Sequence, residues 1–243
     1  MEKFQLWGTI VNAAVVFLGA ALGLLVHFLA GRSKTPKEGK RNLGKELSSA
    51  IMTGLAFCAF LIGVQGALKT QNILVVIISM AVGSAIGTLL DLDGKIVRLG
   101  DWVGKRVGTR SGDVSEGFVG ASLLFCVGAM AVTGSLESGL SANHATLYAK
   151  SAMDFVAAIV FAASMGFGVM LSAVSVFLYQ GTITLLSTFI QPYLSEAVIT
   201  EMGAVGALLV VGVALNMVDF ANIKLMNYVP AIFLPILLCP LLG

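Results

Sequence analysis

Asp154 stands in the stretch LYAKSAMDFVAAIVFAASMGFG (147–168), a carboxylate within sequence otherwise oily enough for lipid. A charge at mid-bilayer costs at least ~2.5–3.5 kcal/mol, so such a group ordinarily faces a cavity or a partner and serves function. Four residues earlier comes Lys150, the spacing at which an ammonium and a carboxylate meet on one helix face. Two chemistries suit the pair. Either it anchors the helix end at the membrane interface beside Tyr148, or Asp154 takes up a proton or cation and couples it to solute movement.

Other polar side chains recur at helical spacing. Asn12 lies seven residues before Gly19 and eleven before Gly23, so the three share one stripe. Cys58 and Gln65 are seven apart, as are Cys126 and Thr133. Buried polar groups need partners. These residues therefore either tie helices together or, with Gln180, Thr182 and Asn216, line a shared polar cavity. The candidate substrate or ion pathway is Asn12, Gln65, Thr133, Asp154, Gln180, Thr182 and Asn216.

Enzyme chemistry finds little footing. The two histidines, His27 and His144, form no zinc-protease HExxH, and neither GxSxG nor a phosphate-binding Walker loop is present. Cys58, Cys126 and Cys239 fall in apolar runs without metal-type spacing and read as buried thiols. The expectation is no catalysis, no cofactor and no metal site. ATP-driven pumping by this chain alone is excluded.

The elements that must position these groups are membrane helices. Of 243 residues 57% are hydrophobic and only 12% charged, about half the charge of a soluble domain. Crossing the hydrocarbon takes ~20 apolar residues, and long uncharged segments point to helices because lipid leaves no backbone group unpaired. Charge-free runs give eight spans, 6–29, 47–68, 72–90, 118–136, 151–171, 174–190, 203–218 and 226–242, in a single all-α polytopic domain over 1–243. Asp154 is then the one acid or base well inside a span. The small polar residues 172–175 mark the turn between the fifth and sixth. Pro230, Pro235 and Pro240 should kink or unwind the eighth. A seven-span arrangement fits as well.

Basic residues orient the spans. Of 15 Lys and Arg, six lie in 31–46 and five in 91–117, which makes those loops cytoplasmic and puts the N-terminus outside. Orientation accounts for that charge without nucleic-acid binding. The first apolar run is too long for a signal peptide, and its basic flank follows it, so it reads as a retained helix.

The chain also resembles itself. LAFCAFLIGVQGAL (55–68) aligns without gaps on LLFCVGAMAVTGSL (123–136), and ISMAVG (78–83) echoes ASMGFG (163–168), so 47–90 is repeated in 118–171. A second echo, WGTIVNA against QGTITLL (180–186) and GLAFCAFLIGV (54–64) against GAVGALLVVGV (203–213), relates 6–90 to 174–242 in opposite orientation. Inverted repeats of this kind build two alternating gates around one site in many transporters. Gly19 with Gly23 and Gly83 with Gly87 form small-xxx-small motifs for close helix packing, within a protomer or between protomers of a homo-oligomer.

GTIVNA (8–13), EGFVGASLLFCVGAMAVTGSL (116–136), YAKSAMDF (148–155), FLYQGTITLL (177–186) and LNMVDFANIKLMNYVPA (215–231) together resemble a bacterial inner-membrane family, domain of unknown function 554, the YqgA-like proteins. The resemblance covers nearly the whole chain. It implies a multi-pass prokaryotic plasma-membrane protein and brings no activity, substrate or functional residue with it. The physics then favours a transporter or channel for a small ion or small polar metabolite, with the lipid bilayer as surroundings; a membrane scaffold or regulatory partner is the alternative.

Overall fold

A computed structural model describes residues 5–31, 43–107, 111–126 and 129–242. Among them there is helix and turn but no strand. The helices are α1 (Trp7–Gly31), α2 (Leu43–Ala67), α3 (Ile73–Leu89), α4 (Leu92–Val107), α5 (Ser111–Cys126), α6 (Ala129–Ser141), α7 (Ala145–Met165), α8 (Gly168–Leu185), the single turn α9 (Ser187–Ile190), α10 (Glu196–Met217) and α11 (Pro235–Leu242). A 3₁₀ segment, Leu225–Phe233, leads into α11.

Four helices, α1, α7, α8 and α10, are each long and apolar enough to cross a membrane. Three bent pairs pass the same test as units: α3 with α4 at 56°, α5 with α6 at 61° and the 3₁₀ segment with α11 at 47°. That makes up to seven spans, and the described apolar part of α2, Met52–Ala67, is shorter. Large apolar side chains such as Phe17, Leu22, Phe57, Ile77 and Leu178 point outward, while Thr9, Asn12, Ser135, Gln180 and Thr184 are buried. Oil outside and polar groups inside is the arrangement lipid demands.

Several boundaries differ from the sequence reading for identifiable reasons. The turn between α7 and α8 falls at Gly166, whose φ of 74° suits glycine, and not at 172–175. Ser172 donates to Val169 O of its own helix and Ser175 accepts from Ser122 at 3.0 Å, so those serines bond within and between helices instead of breaking one. α7 accordingly starts at Ala145, six residues before the expected 151. α10 begins early as well, because Ser195 caps it by accepting from Val198 N at 3.3 Å. The basic stretch 91–117 is no plain loop: α4 and the start of α5 occupy it. Most of the other basic stretch, 31–46, lies outside the described residues. The proline-rich end is broken as expected, running as 3₁₀ helix through Pro230 and bending before Pro235.

The glycine motifs pack helices within the chain. A Cβ on Gly19 would lie 2.7 Å from Phe155 O, and one on Gly23 would meet Ile159 O, so α1 lies directly against α7. Gly83 and Gly87 likewise admit Ala231 and Asn227 of the 3₁₀ segment against α3. Gly63 and Gly66 do the same for α2 against Ala207 and Val211 of α10. Asn72 Nδ2 donates to Leu242 O at 3.3 Å, and Ser138 Oγ donates to Gln5 O at 2.6 Å. With Thr70 held by Glu201 near the start of α10, the beginnings of α1, α3, α7 and α10 and the end of α11 share one end of the bundle.

Candidate functional site

Asp154 is the tenth of the 21 residues of α7, about 14 Å along the helix from its start. It lies mid-helix, deeper than the sequence reading placed it. Lys150 Nζ donates to Asp154 Oδ2 at 2.5 Å across one turn. Both side chains are about nine-tenths buried (9% and 10% exposed). An interfacial anchor would extend its ammonium to water. This pair instead keeps its charges inside the protein.

Two amides back it. Asn12 Nδ2, on α1, donates to Asp154 Oδ2 and to Gln180 Oε1 of α8, each at 3.2 Å. Asn12 and Gln180 are fully buried. Below them Thr9 and Thr184 hydroxyls lie 3.2 Å apart, and Thr184 Oγ1 donates to Ser135 O of α6 at 3.2 Å. One polar seam thus joins α1, α6, α7 and α8. It is not fully satisfied. Among the described residues, three buried side-chain polar atoms have no partner: Asn12 Oδ1, Gln180 Nε2 and Ser79 Oγ. Two of the three belong to this cluster, and an unpaired buried polar atom is costly enough to need a reason.

Lys150 and Asp154 also form part of the wall of a hollow of about 540 Å³ between α2, α5, α6, α7 and α10. Gln65, Lys69 and Thr200 stand around it; Phe125, Met153 and Ala157 supply apolar wall. A second hollow, about 620 Å³, opens among α4, α5 and the far end of α10, beside Asp93, Glu116, Asn216 and Asp219. The two approach closely. Val210 and Leu124 face the first, whereas Val213 and Gly120 face the second, so roughly one helical turn, about 5 Å, separates them.

The sequence candidates do not all meet in one compartment. Asn12, Asp154 and Gln180 come together, and Gln65 borders the same hollow from α2. Thr133 is half-buried and already engaged by a partner. Thr182 is exposed, because the inward position on that face of α8 belongs to Thr184. Asn216 lies at the other end, donating to Ile223 O and accepting from Ile223 N, each at 2.9 Å, which pins the turn after α10.

Asp154 is also not the only acid within a helix. Glu201 is 2% exposed in α10 and accepts from Thr70 Oγ1 at 2.6 Å, Gln71 N at 2.6 Å and Asn72 N at 3.0 Å. It clamps the α2–α3 turn to α10 beside the mouth of the first hollow. Counting the span from Gly203 hid it; the capping serine at 195 was the available signal. Lys150 was legible by spacing but not as a buried cation. Among the described residues no cluster of three or more His, Cys, Asp or Glu converges as a metal site would require.

The profile of the family described as "Protein of unknown function (DUF554)" matches residues 7–240. The chain is 24% identical over 236 residues to "Uncharacterized membrane protein YdfK" of Bacillus subtilis (strain 168), covering 95% of this chain and 94% of that one. It is 23% identical over 234 residues to "Uncharacterized protein YqgA" of Escherichia coli (strain K12), covering 93% of each. No solved structure matches the chain.

Proposed function

The chain belongs to the DUF554 family of membrane proteins, whose description assigns no activity, and we propose from its polar core that it is a secondary carrier for a small solute. The observation that carries this is the Lys150–Asp154 pair, which is buried at mid-helix and still borders a hollow of about 540 Å³. A pair needed only for adhesion gains nothing from an adjoining hollow. A binding site requires one.

The second hollow supports a carrier over an open channel. Two compartments reach inward from opposite ends and stop about one turn short of each other at Val210 and Val213 of α10 and Leu124 and Gly120 of α5. Small shifts of α5 and α10 would open one side while closing the other. The 61° bend between α5 and α6 gives a discontinuous helix beside this point, and carriers commonly hold substrate at such helices.

Pairing of the candidate inverted repeats agrees with the same reading. Thr9 meets Thr184 while Asn12 meets Gln180, Gly63 meets Val211 while Gly66 meets Ala207, and Gly83 meets Ala231 while Gly87 meets Asn227. Each early element therefore runs antiparallel to its late counterpart. With α2 counted as a span and α3 crossing without α4, which turns away at 56° and lies in the basic stretch, the chain crosses the bacterial inner membrane eight times, both termini outside and the basic stretches 31–46 and 91–117 in the cytoplasm. The first hollow then faces outward.

The test is flux in proteoliposomes, read with pH- and sodium-sensitive dyes and by mass spectrometry of a mixed pool of small metabolites. The double variant Lys150→Gln with Asp154→Asn removes both charges and leaves neither unpaired. A solute that moves through wild-type protein should not move through a double variant that still elutes as folded protein. A wild-type protein that moves nothing supports the scaffold reading instead.

A further inference from the structure

We propose that the solute held at Lys150 and Asp154 is a small zwitterion, a single molecule bearing a primary ammonium and a carboxylate, of the size of a neutral amino acid. This rests on the carrier reading above and names its substrate class.

Charge neutrality argues first. The site itself supplies one ammonium and one carboxylate, net zero, with about nine-tenths of each side chain shielded from solvent. A lone cation bound at Asp154, or a lone anion at Lys150, would leave one uncompensated charge in surroundings of low dielectric, where that is strongly unfavourable. A zwitterion inserted between the two partners replaces one ion pair by two. Its carboxylate faces the Lys150 ammonium and its ammonium faces the Asp154 carboxylate. The loaded site is as neutral as the empty one, so either can pass through the membrane interior during a transport cycle. Lys69, the other basic residue at this hollow, is exposed at its mouth, where water screens it.

Hydrogen-bonding capacity argues second and independently. Asn12 bonds to Asp154 and Gln180 through its Nδ2, leaving its carbonyl oxygen unspent. Gln180 accepts through Oε1, leaving its Nε2 unspent. Flipping either amide would not repair this: Asn12 would then present an oxygen to the carboxylate, and Gln180 an NH₂ to an NH₂. The cluster therefore holds one unspent acceptor, suited to an ammonium, and one unspent donor, suited to a carboxylate; neither amide lines the hollow, so a guest reaches them only where it parts Lys150 from Asp154. Both bonds received by Asp154 fall on Oδ2, so Oδ1 is the oxygen available to a guest.

Shape completes the match. A volume of about 540 Å³ lies within the range of about 300–1,000 Å³ usual for small-molecule pockets. Much of the remaining lining is apolar, with Phe125, Met130, Met153 and Val210, and accommodates a short aliphatic side chain.

The experiment is uptake by wild-type proteoliposomes of labelled glycine, L-alanine, L-valine, L-leucine and γ-aminobutyrate, alongside sodium, isobutylamine and isovalerate. The last two are valine without its carboxylate and valine without its ammonium. Saturable uptake of at least one zwitterion is expected, with each single-ended analogue competing roughly tenfold or more weakly, because a site built for both ends rejects a guest lacking one. Uptake should be lost in Lys150→Gln/Asp154→Asn and reduced in Gln180→Leu, both checked for monodisperse elution. Movement of sodium, isobutylamine or isovalerate without any zwitterion overturns the substrate class and leaves the carrier standing. Zwitterion uptake that survives in the folded double variant overturns the site. No saturable movement of any solute overturns class and carrier together.

Discussion

Lys150 and Asp154 meet across one turn of α7 with about nine-tenths of each side chain shielded from solvent. That relationship makes the two residues energetically inseparable. Removing one partner of a buried ion pair strands the other, at a cost of about 3–5 kcal/mol, whereas replacing both with neutral groups of similar volume is often close to harmless. Lys150→Met alone should therefore destabilise the protein markedly, and Lys150→Met/Asp154→Asn should recover most of the loss. Thermal unfolding in detergent measures both; equal losses would mean that the pair is not coupled in the folded state.

Glu201 gives a second prediction at the mouth of the first hollow. Its carboxylate accepts three hydrogen bonds from residues 70–72, and bonds to a charged group contribute about 1.5–3 kcal/mol each at most. Glu201→Ala should release the α2–α3 turn, with faster hydrogen exchange at the Gln71 and Asn72 amides and unchanged exchange in α7. Glu201→Gln keeps an acceptor oxygen and should show a smaller effect.

Glycine positions separate by what lies above them. A Cβ at Gly87 would fall on the Asn227 backbone, which cannot swing aside as a side chain can, while a Cβ at Gly54 meets nothing within 4 Å. Gly87→Ala should cost about 1–3 kcal/mol through overpacking. Gly54→Ala in α2 should gain about 0.5–1 kcal/mol from helix propensity. A thermal-shift comparison of the two checks the α3 packing directly.

Hydropathy made the helical membrane class and most span positions readable, because apolar runs follow directly from what lipid requires. Asn12, Asp154 and Gln180 were singled out one at a time by their polarity in such runs, yet nothing in the sequence links residues 142 and 168 positions apart. Their meeting depends on α1 lying against α7 and α8, which the close approach at Gly19 and Gly23 permits. Thr182 and Thr184 show the limit of polarity as a signal. Both look equally suited to a pore, and only the rotation of α8 decides that Thr184 is inside and Thr182 outside. Glu201 and the start of α7 were obscured by counting charge as a span boundary, whereas Ser195 and Gly166 mark the true helix ends.

The central claim is that Lys150 and Asp154 border a compartment that opens to water during a transport cycle. Ala157 borders the same hollow one turn beyond Asp154, and Ala157→Cys, in protein with Cys58, Cys126 and Cys239 replaced, places a thiol there. In oriented proteoliposomes a membrane-impermeant thiol reagent should modify that cysteine from the outer side, and during solute exchange from the inner side too. A cysteine at 157 that stays unmodified from both sides, in folded protein, would contradict the account.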